Sequence, residues 1–167
     1  MTTGNRLLFI FIATVLAVGL IFVLFPNQEK EVKKQLNRLS QYASKQQDEP
    51  TLASLAKSAK IGQLFADTCT LTIKNPRLEG SYSRKEIMDR ITMARNAFGV
   101  LDVSFYDMSI EFPVEGRAKA LLTMRLLGKL GKEKEDFADV REVQVDLKKT
   151  ERKWLINGVE FIEVLEK

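Results

Sequence analysis

Apolar positions follow three different rhythms along this chain. From Leu7 to Phe25 (LLFIFIATVLAVGLIFVLF) they are continuous: nineteen positions without a charged, amide, Pro or Tyr side chain. A helix of that length spans about 28 Å, close to the hydrocarbon thickness of a bilayer, and predicts a transmembrane anchor ended by Pro26-Asn27. The rhythm then becomes helical. Val32, Leu36, Leu39 and Ala43 recur at i, i+4, i+7 and i+11, predicting an amphipathic helix from about Glu29 to Gln47. Asp48-Glu49-Pro50 breaks it and opens a second helix, with Asp48 or Glu49 near the N-cap and Leu52, Leu55, Ala56 and Ala59 on the buried face. Thr68 to Ile73 reads as a short strand of the edge type, stopped by Asn75-Pro76, and Leu78 to Tyr82 as a loop. Ser83-Arg84-Lys85-Glu86 fits a capping box, followed by a third helix with Ile87, Ile91, Ala94 and Phe98 on one face and Gly99 at its C-terminal cap.

From Val100 onward the period is two. Leu101, Val103 and Phe105 share one phase, and Tyr106, Met108, Ile110 and Phe112 share the other, which predicts a β-bulge near Phe105-Tyr106. Pro113 and Glu115-Gly116 make a turn into a long strand, Arg117 to Leu130, with Ala118, Ala120, Leu122, Met124 and Leu126 on one face. After the charged tip Gly131 to Asp136, the strand Phe137 to Lys149 turns Val143, Val145 and Leu147 inward. The last strand runs from Trp154 to Leu165 and is kinked by Asn157-Gly158. Helices first and a meander last is an α+β pattern: three helices packed on a curved antiparallel sheet, with a conical cavity between them. The division this implies is an anchor over 1–28 and one domain over 29–167.

Charge changes this picture little. Lys and Arg number 26 against 22 Asp and Glu, a formal +4, and the signs are interleaved, so no nucleic-acid footprint is expected. The local excess of Lys30, Lys33, Lys34, Arg38 and Lys45 over Glu29 and Glu31 reads as a solvated helix face, with contact to anionic headgroups as the alternative. The chain has no histidine and one cysteine, Cys69. That removes the commonest general base and metal ligand and any intrachain disulfide, so neither a cofactor nor a metal is expected.

Two alternatives attend the apolar stretch. Cleavage as a signal peptide would use Ala17-Val18-Gly19 and leave LIFVLF exposed at the new terminus, a poor product. A buried core helix would normally be amphipathic. Lys and Arg beyond the stretch favour a cytoplasmic domain by the positive-inside rule, whereas an N-terminal uncleaved signal sends a long domain across; we take the extracytoplasmic side.

The order of elements, the SRKEI entry to the third helix and the ending KWLINGVEFIEV resemble the nuclear transport factor 2-like (cystatin-like) superfamily, shared with ketosteroid isomerases and polyketide cyclases. The resemblance covers Glu29 to Lys167 and implies a cone-shaped fold that often dimerises through the outer sheet face, where Leu121, Thr123 and Leu127 would lie. A narrower likeness, to an anchored assembly component of type IV secretion systems, rests on layout alone. Ketosteroid isomerase-like sites need a carboxylate and acidic hydrogen-bond donors in an apolar pocket. Here Asp102, Asp107, Asp139, Tyr82 and Tyr106 are on offer. Asp139 and Arg141 share strand parity with Val143, Val145 and Leu147 and would point into the cavity, there or as a salt bridge at its open end. Asp102 should face solvent, Tyr106 should be wall rather than acid, and Tyr82 packing. Without a histidine to activate it, Cys69 reads as a small buried hydrophobe, and Trp154 as core. Arg77 and Arg90 are candidate anion ligands whose charges more simply face water. The expectation is a non-catalytic binding or scaffold domain held at a lipid bilayer by Leu7 to Phe25 and able to form a homodimer. The alternatives are a small-molecule enzyme or lipid-like ligand binder that uses the cavity, and a secretion-machine component.

Overall fold

The structure, a computed structural model, describes residues 28–74, 78–131 and 135–164. The expected anchor, Leu7 to Phe25, and the candidate Arg77 lie outside the described residues, and no helix among the described residues is long and apolar enough to cross a membrane. The described residues from 32 onward belong to one compact unit. The elements are α1 (Gln28–Ala43), α2 (Thr51–Gly62), β1 (Phe65–Ile73), β2 (Leu78–Ser83), α3 (Arg84–Ala97), β3 (Phe98–Glu111), β4 (Arg117–Leu130), β5 (Glu135–Thr150) and β6 (Lys153–Val164).

Helix α1 buries Val32 and Leu36, as its spacing predicts, but ends at Ala43 rather than Gln47. The next residues satisfy the edge of β3 instead. Lys45 exchanges two backbone hydrogen bonds with Leu101 at 2.7 and 2.9 Å, and the Val103 N–H donates to Ser44 Oγ at 2.9 Å. An exposed strand edge carries unpaired backbone groups, and these contacts outweigh one more helical turn.

Helix α2 presents a different face from the expected one. Leu52 and Leu55 are 81% and 59% exposed, and Ser58, Ile61 and Gly62 are buried. Its contact with α3 uses small and polar groups: the Thr92 and Ser58 hydroxyls are hydrogen-bonded at 2.9 Å, and a Cβ on Gly62 would lie 3.3 Å from Met88 Sδ. Neither Asp48 nor Glu49 caps α2; Pro50 is the N-cap, without a side-chain bond, because Glu49 is committed elsewhere.

The Ser83–Glu86 capping box forms as expected. Ser83 Oγ accepts from the Glu86 N–H, and the Ser83 N–H donates to Glu86 Oε2 at 2.8 Å. Replacing Ser83 by alanine should cost about 1 kcal/mol, read as a shift in the urea midpoint at unchanged slope. At the other end the chain passes from Ala97 directly into β3 through an extended Phe98, so Gly99 lies in the strand and not at a cap.

Six strands form one sheet in the order β2-β1-β6-β5-β4-β3. Two expectations need correction. Leu78 to Ser83 is a strand, antiparallel to β1, so β1 is interior and not an edge. The sheet is mixed rather than antiparallel, because β1 runs parallel to β6. The meander β3 to β6 returns β6 to the side of β1 left open by β2.

The bulge in β3 falls at Asp107, which has φ 51°, between the pairs Tyr106↔Thr123 and Ser109↔Leu121. The bulge therefore falls one residue beyond the expected Phe105-Tyr106. Leu101, Val103 and Phe105 point inward before it, and Met108 and Ile110 after it. Tyr106 is left outside. In β6, Asn157 is the extra residue between Gly158, opposite Asp146, and Ile156, opposite Leu147, which is the expected kink.

The core lies between α1, α3 and the sheet, and includes Leu122, Val143, Val145, Leu147, Trp154 and Ile156. Cys69 is fully buried there; burial and the charge of Asp146 push its thiol up to about 11, so it is a neutral hydrophobe at physiological pH. Leu121 and Leu127 stand on the outer sheet face, each 38% exposed.

Candidate functional site

The core does not fill the space between helices and sheet. A cavity of about 470 Å³ remains, within the range of small-molecule sites. Leu39 and Ala43 of α1, Ile87, Ile91 and Ala94 of α3, and the inward side chains of β1 and β3 to β6 line it. Strand alternation is what makes it apolar: Leu122, Met124 and Leu126 of β4 and Val143 and Val145 of β5 all project to one side.

The same alternation carries two charged side chains inward. Register places Arg141 opposite Met124 and Asp139 opposite Leu126, and both line the cavity. They pair with each other: Arg141 Nε donates to Asp139 Oδ2 at 2.7 Å. Asp139 is 18% and Arg141 35% exposed along the side chain, so the pair stands where the cavity meets solvent. The two expected positions, cavity lining and ion pair at the open end, are thus both occupied by one arrangement.

The other candidates are not brought together with them. Tyr106 is 42% exposed and outside the cavity, its ring 4.9 Å from the Arg125 guanidinium; it borders a separate polar groove between the end of α1 and β3. It is therefore not cavity wall, because the later bulge leaves it in the outward phase. Asp102 faces solvent and accepts from the Ser104 hydroxyl at 2.7 Å. Asp107 is the exposed bulge residue. Tyr82 packs at the core's margin under the Arg90 guanidinium, 4.4 Å from its ring centroid. Arg90 itself also lines the cavity.

One residue of the site escaped the sequence reading. Arg95 is 1% exposed and lines the cavity with its side chain. Its Nη2 donates to Glu49 Oε1 at 2.6 Å and to the Ser44 carbonyl at 3.3 Å, its Nε to the Ala43 carbonyl at 3.2 Å, and its Nη1 reaches Ser54 at 3.4 Å. Lys57 completes the group, 2.6 Å from Glu49 Oε2. The signal was present in the spacing: Ile87, Ile91 and Arg95 stand at i, i+4 and i+8, so a charge occupies an apolar register position. Among the described residues no cluster of three or more His, Cys, Asp or Glu could hold a metal ion.

No family model matches the sequence, and no curated protein does. Solved structures do match in three dimensions. Kfla4162 of Kribbella flavida superposes with a TM-score of 0.68 at 12% identity, over 83% of this chain and 90% of that one. A putative scytalone dehydratase of Novosphingobium aromaticivorans gives 0.67 at 12% identity, over 83% and 85%. A hexachlorocyclohexane dehydrochlorinase, LinA-type3, of Novosphingobium barchaimii gives 0.62 at 7% identity, over 83% and 87%. Identities this low establish architecture and not activity. The fold of this chain is the α+β, cystatin-like fold that these solved structures share.

Proposed function

We propose that the folded unit binds a small, mainly apolar molecule in the cavity between α3 and the sheet, and that Leu7 to Phe25 holds it at a membrane, on the extracytoplasmic side. The observation that carries this reading is the cavity: about 470 Å³ of apolar-walled space that the protein's own Phe and Leu side chains leave open. A domain serving only as a scaffold gains stability by filling such space, since unfilled cavity costs roughly 24 cal/mol per Å³. A second reading, turnover with Asp139 as general base, is favoured by the carboxylate's place in the cavity. Its fold is also that of a protein named as a dehydrochlorinase and one named as a putative dehydratase. Chemistry would require Asp139 to part from Arg141, so binding is the reading we adopt.

The test uses the full chain in lipid nanodiscs and a neutral probe, decanol carrying a diazirine, with the labelled residues mapped by mass spectrometry. Label is expected on cavity residues such as Phe105, Met124 and Val143. Met124→Trp fills the space and should lower that label at least tenfold while leaving the melting temperature unchanged or higher. Label confined to exposed residues such as Leu52 and Leu55, or cavity label indifferent to Met124→Trp, would overturn the reading.

A further inference from the structure

We infer that the ligand is an amphiphile with an anionic head, a carboxylate or phosphate, received by Arg141; this rests on the cavity being a binding site. Among the described residues four charged side chains line the cavity: Arg90, Arg95, Asp139 and Arg141. Their charges do not cancel. Glu49 offsets Arg95 and Asp139 offsets Arg141, while Arg90, against the face of Tyr82, makes no ion pair in contact among the described residues and has only the more distant charge of Glu86 one turn earlier on α3.

Donor capacity points the same way. The hydrogen bonds of Arg95 are spent on Glu49, Ser54 and the carbonyls at the end of α1. Arg141 spends only its Nε, on Asp139. A guanidinium carries five N–H donors in a rigid fork, and the four on the two Nη atoms of Arg141 have no acceptor among the described residues. Asp139 therefore acts as a positioning residue: it fixes the plane of the guanidinium and leaves the fork that suits an oxyanion bidentately. A cationic head finds no comparable site, because the only lining carboxylate among the described residues is already paired.

The depth of the cavity supplies the tail. Asp139 and Arg141 stand at the solvent end of the β5 lining, and Val143 and Val145 follow them inward. Four residues of strand cover about 13 Å, enough for an extended alkyl chain of medium length. Such a molecule would enter head-outward, its oxyanion on Arg141 and its chain against Leu122 and Val145.

The experiment is a competition in the same nanodiscs, with decanoate, decanol and decylammonium displacing the neutral diazirine probe, compared at equal free aqueous concentration. Decanoate should displace it at a concentration at least tenfold below that of decanol, with decylammonium weakest. Arg141→Gln should bring decanoate to within twofold of decanol and leave decanol unchanged, which also reports an intact cavity; Arg90→Gln should shift decanoate in the same direction. Methyl phosphonate and carboxylate heads on the same chain would then distinguish the two oxyanions. Equal displacement by decanoate and decanol in the wild type, or a preference for decylammonium, overturns the anionic head while the cavity reading stands. Failure of all three to displace the probe overturns both.

Discussion

Replacing Glu49 by alanine is expected to destabilise the folded domain by about 3–5 kcal/mol, the usual cost of removing one partner from a buried ion pair. Arg95 and Glu49 are 1% and 4% exposed along their side chains and 2.6 Å apart. Without the carboxylate the guanidinium keeps its four neutral acceptors and loses its counter-charge while almost wholly buried. The double variant Glu49→Leu with Arg95→Met removes both charges, and should recover most of that loss because no uncompensated charge is left. Trp154, the chain's one tryptophan and 3% exposed, is the natural fluorescent reporter of unfolding. A loss below about 1 kcal/mol for Glu49→Ala would remove the ion pair from the account of stability.

The same pair sets a dependence on acid. Burial pushes the Glu49 carboxyl up, but hydrogen bonds from Lys57 and Arg95, with their charges, outweigh it and hold the group below the ordinary carboxylate range. A carboxyl lowered in the folded state contributes its full stabilisation above the unfolded value of about 4.3, and loses it as pH falls through the folded value below that. Glu49→Gln should therefore flatten the acid limb of the stability profile and leave the neutral limb parallel to wild type.

Gly128→Ala is expected to cost about 1–3 kcal/mol, as overpacking does where the neighbour cannot yield. A Cβ there would stand 2.5 Å from the Val100 carbonyl oxygen, which is backbone, and 2.9 Å from the Phe98 ring. Phe98 in turn packs edge-on against Phe137 with ring centroids 5.3 Å apart, and it lines the cavity. The substitution should therefore also move Phe98 and change probe labelling at that wall. Gly99→Ala is the control on the neighbouring strand: its nearest neighbour would be 3.8 Å away, ordinary contact. It should stay within about 0.5 kcal/mol of wild type.

These residues also mark what could be read from the chain and what could not. Alternation over 117–130 and 143–147 placed the cavity wall and the inward parity of Asp139 and Arg141, because a two-residue period leaves little freedom where one face is buried. The Ser83–Glu86 box was legible because its chemistry is local. Tyr106 was misplaced by a bulge one residue further on: Asp107 adopts a positive φ that nothing in its neighbours announces. Helix α2 was turned by its partner, since Ser54 and Ser58 face the polar groups of α3 and leave Leu52 and Leu55 outside. The strand β2 was hidden because Leu78 to Ser83 alternates weakly and owes its conformation to pairing with β1.

The parallel pairing of β1 with β6 has a consequence for how the chain is made. Phe65 lies beside Ile156, and Leu71 beside Val159. Strands β3 to β5 meet neighbours close in sequence, but β1 and β2 join the sheet only through β6, far along the chain from both. Until β6 leaves the ribosome, the emerging chain carries two separate pieces of sheet, each with an open edge where β6 will lie. Closing them is a long-range step and a slow one by contact order. The residues after Trp154 thus decide when the cavity acquires its walls, and a chain stopped short of them would present both edges to its neighbours instead.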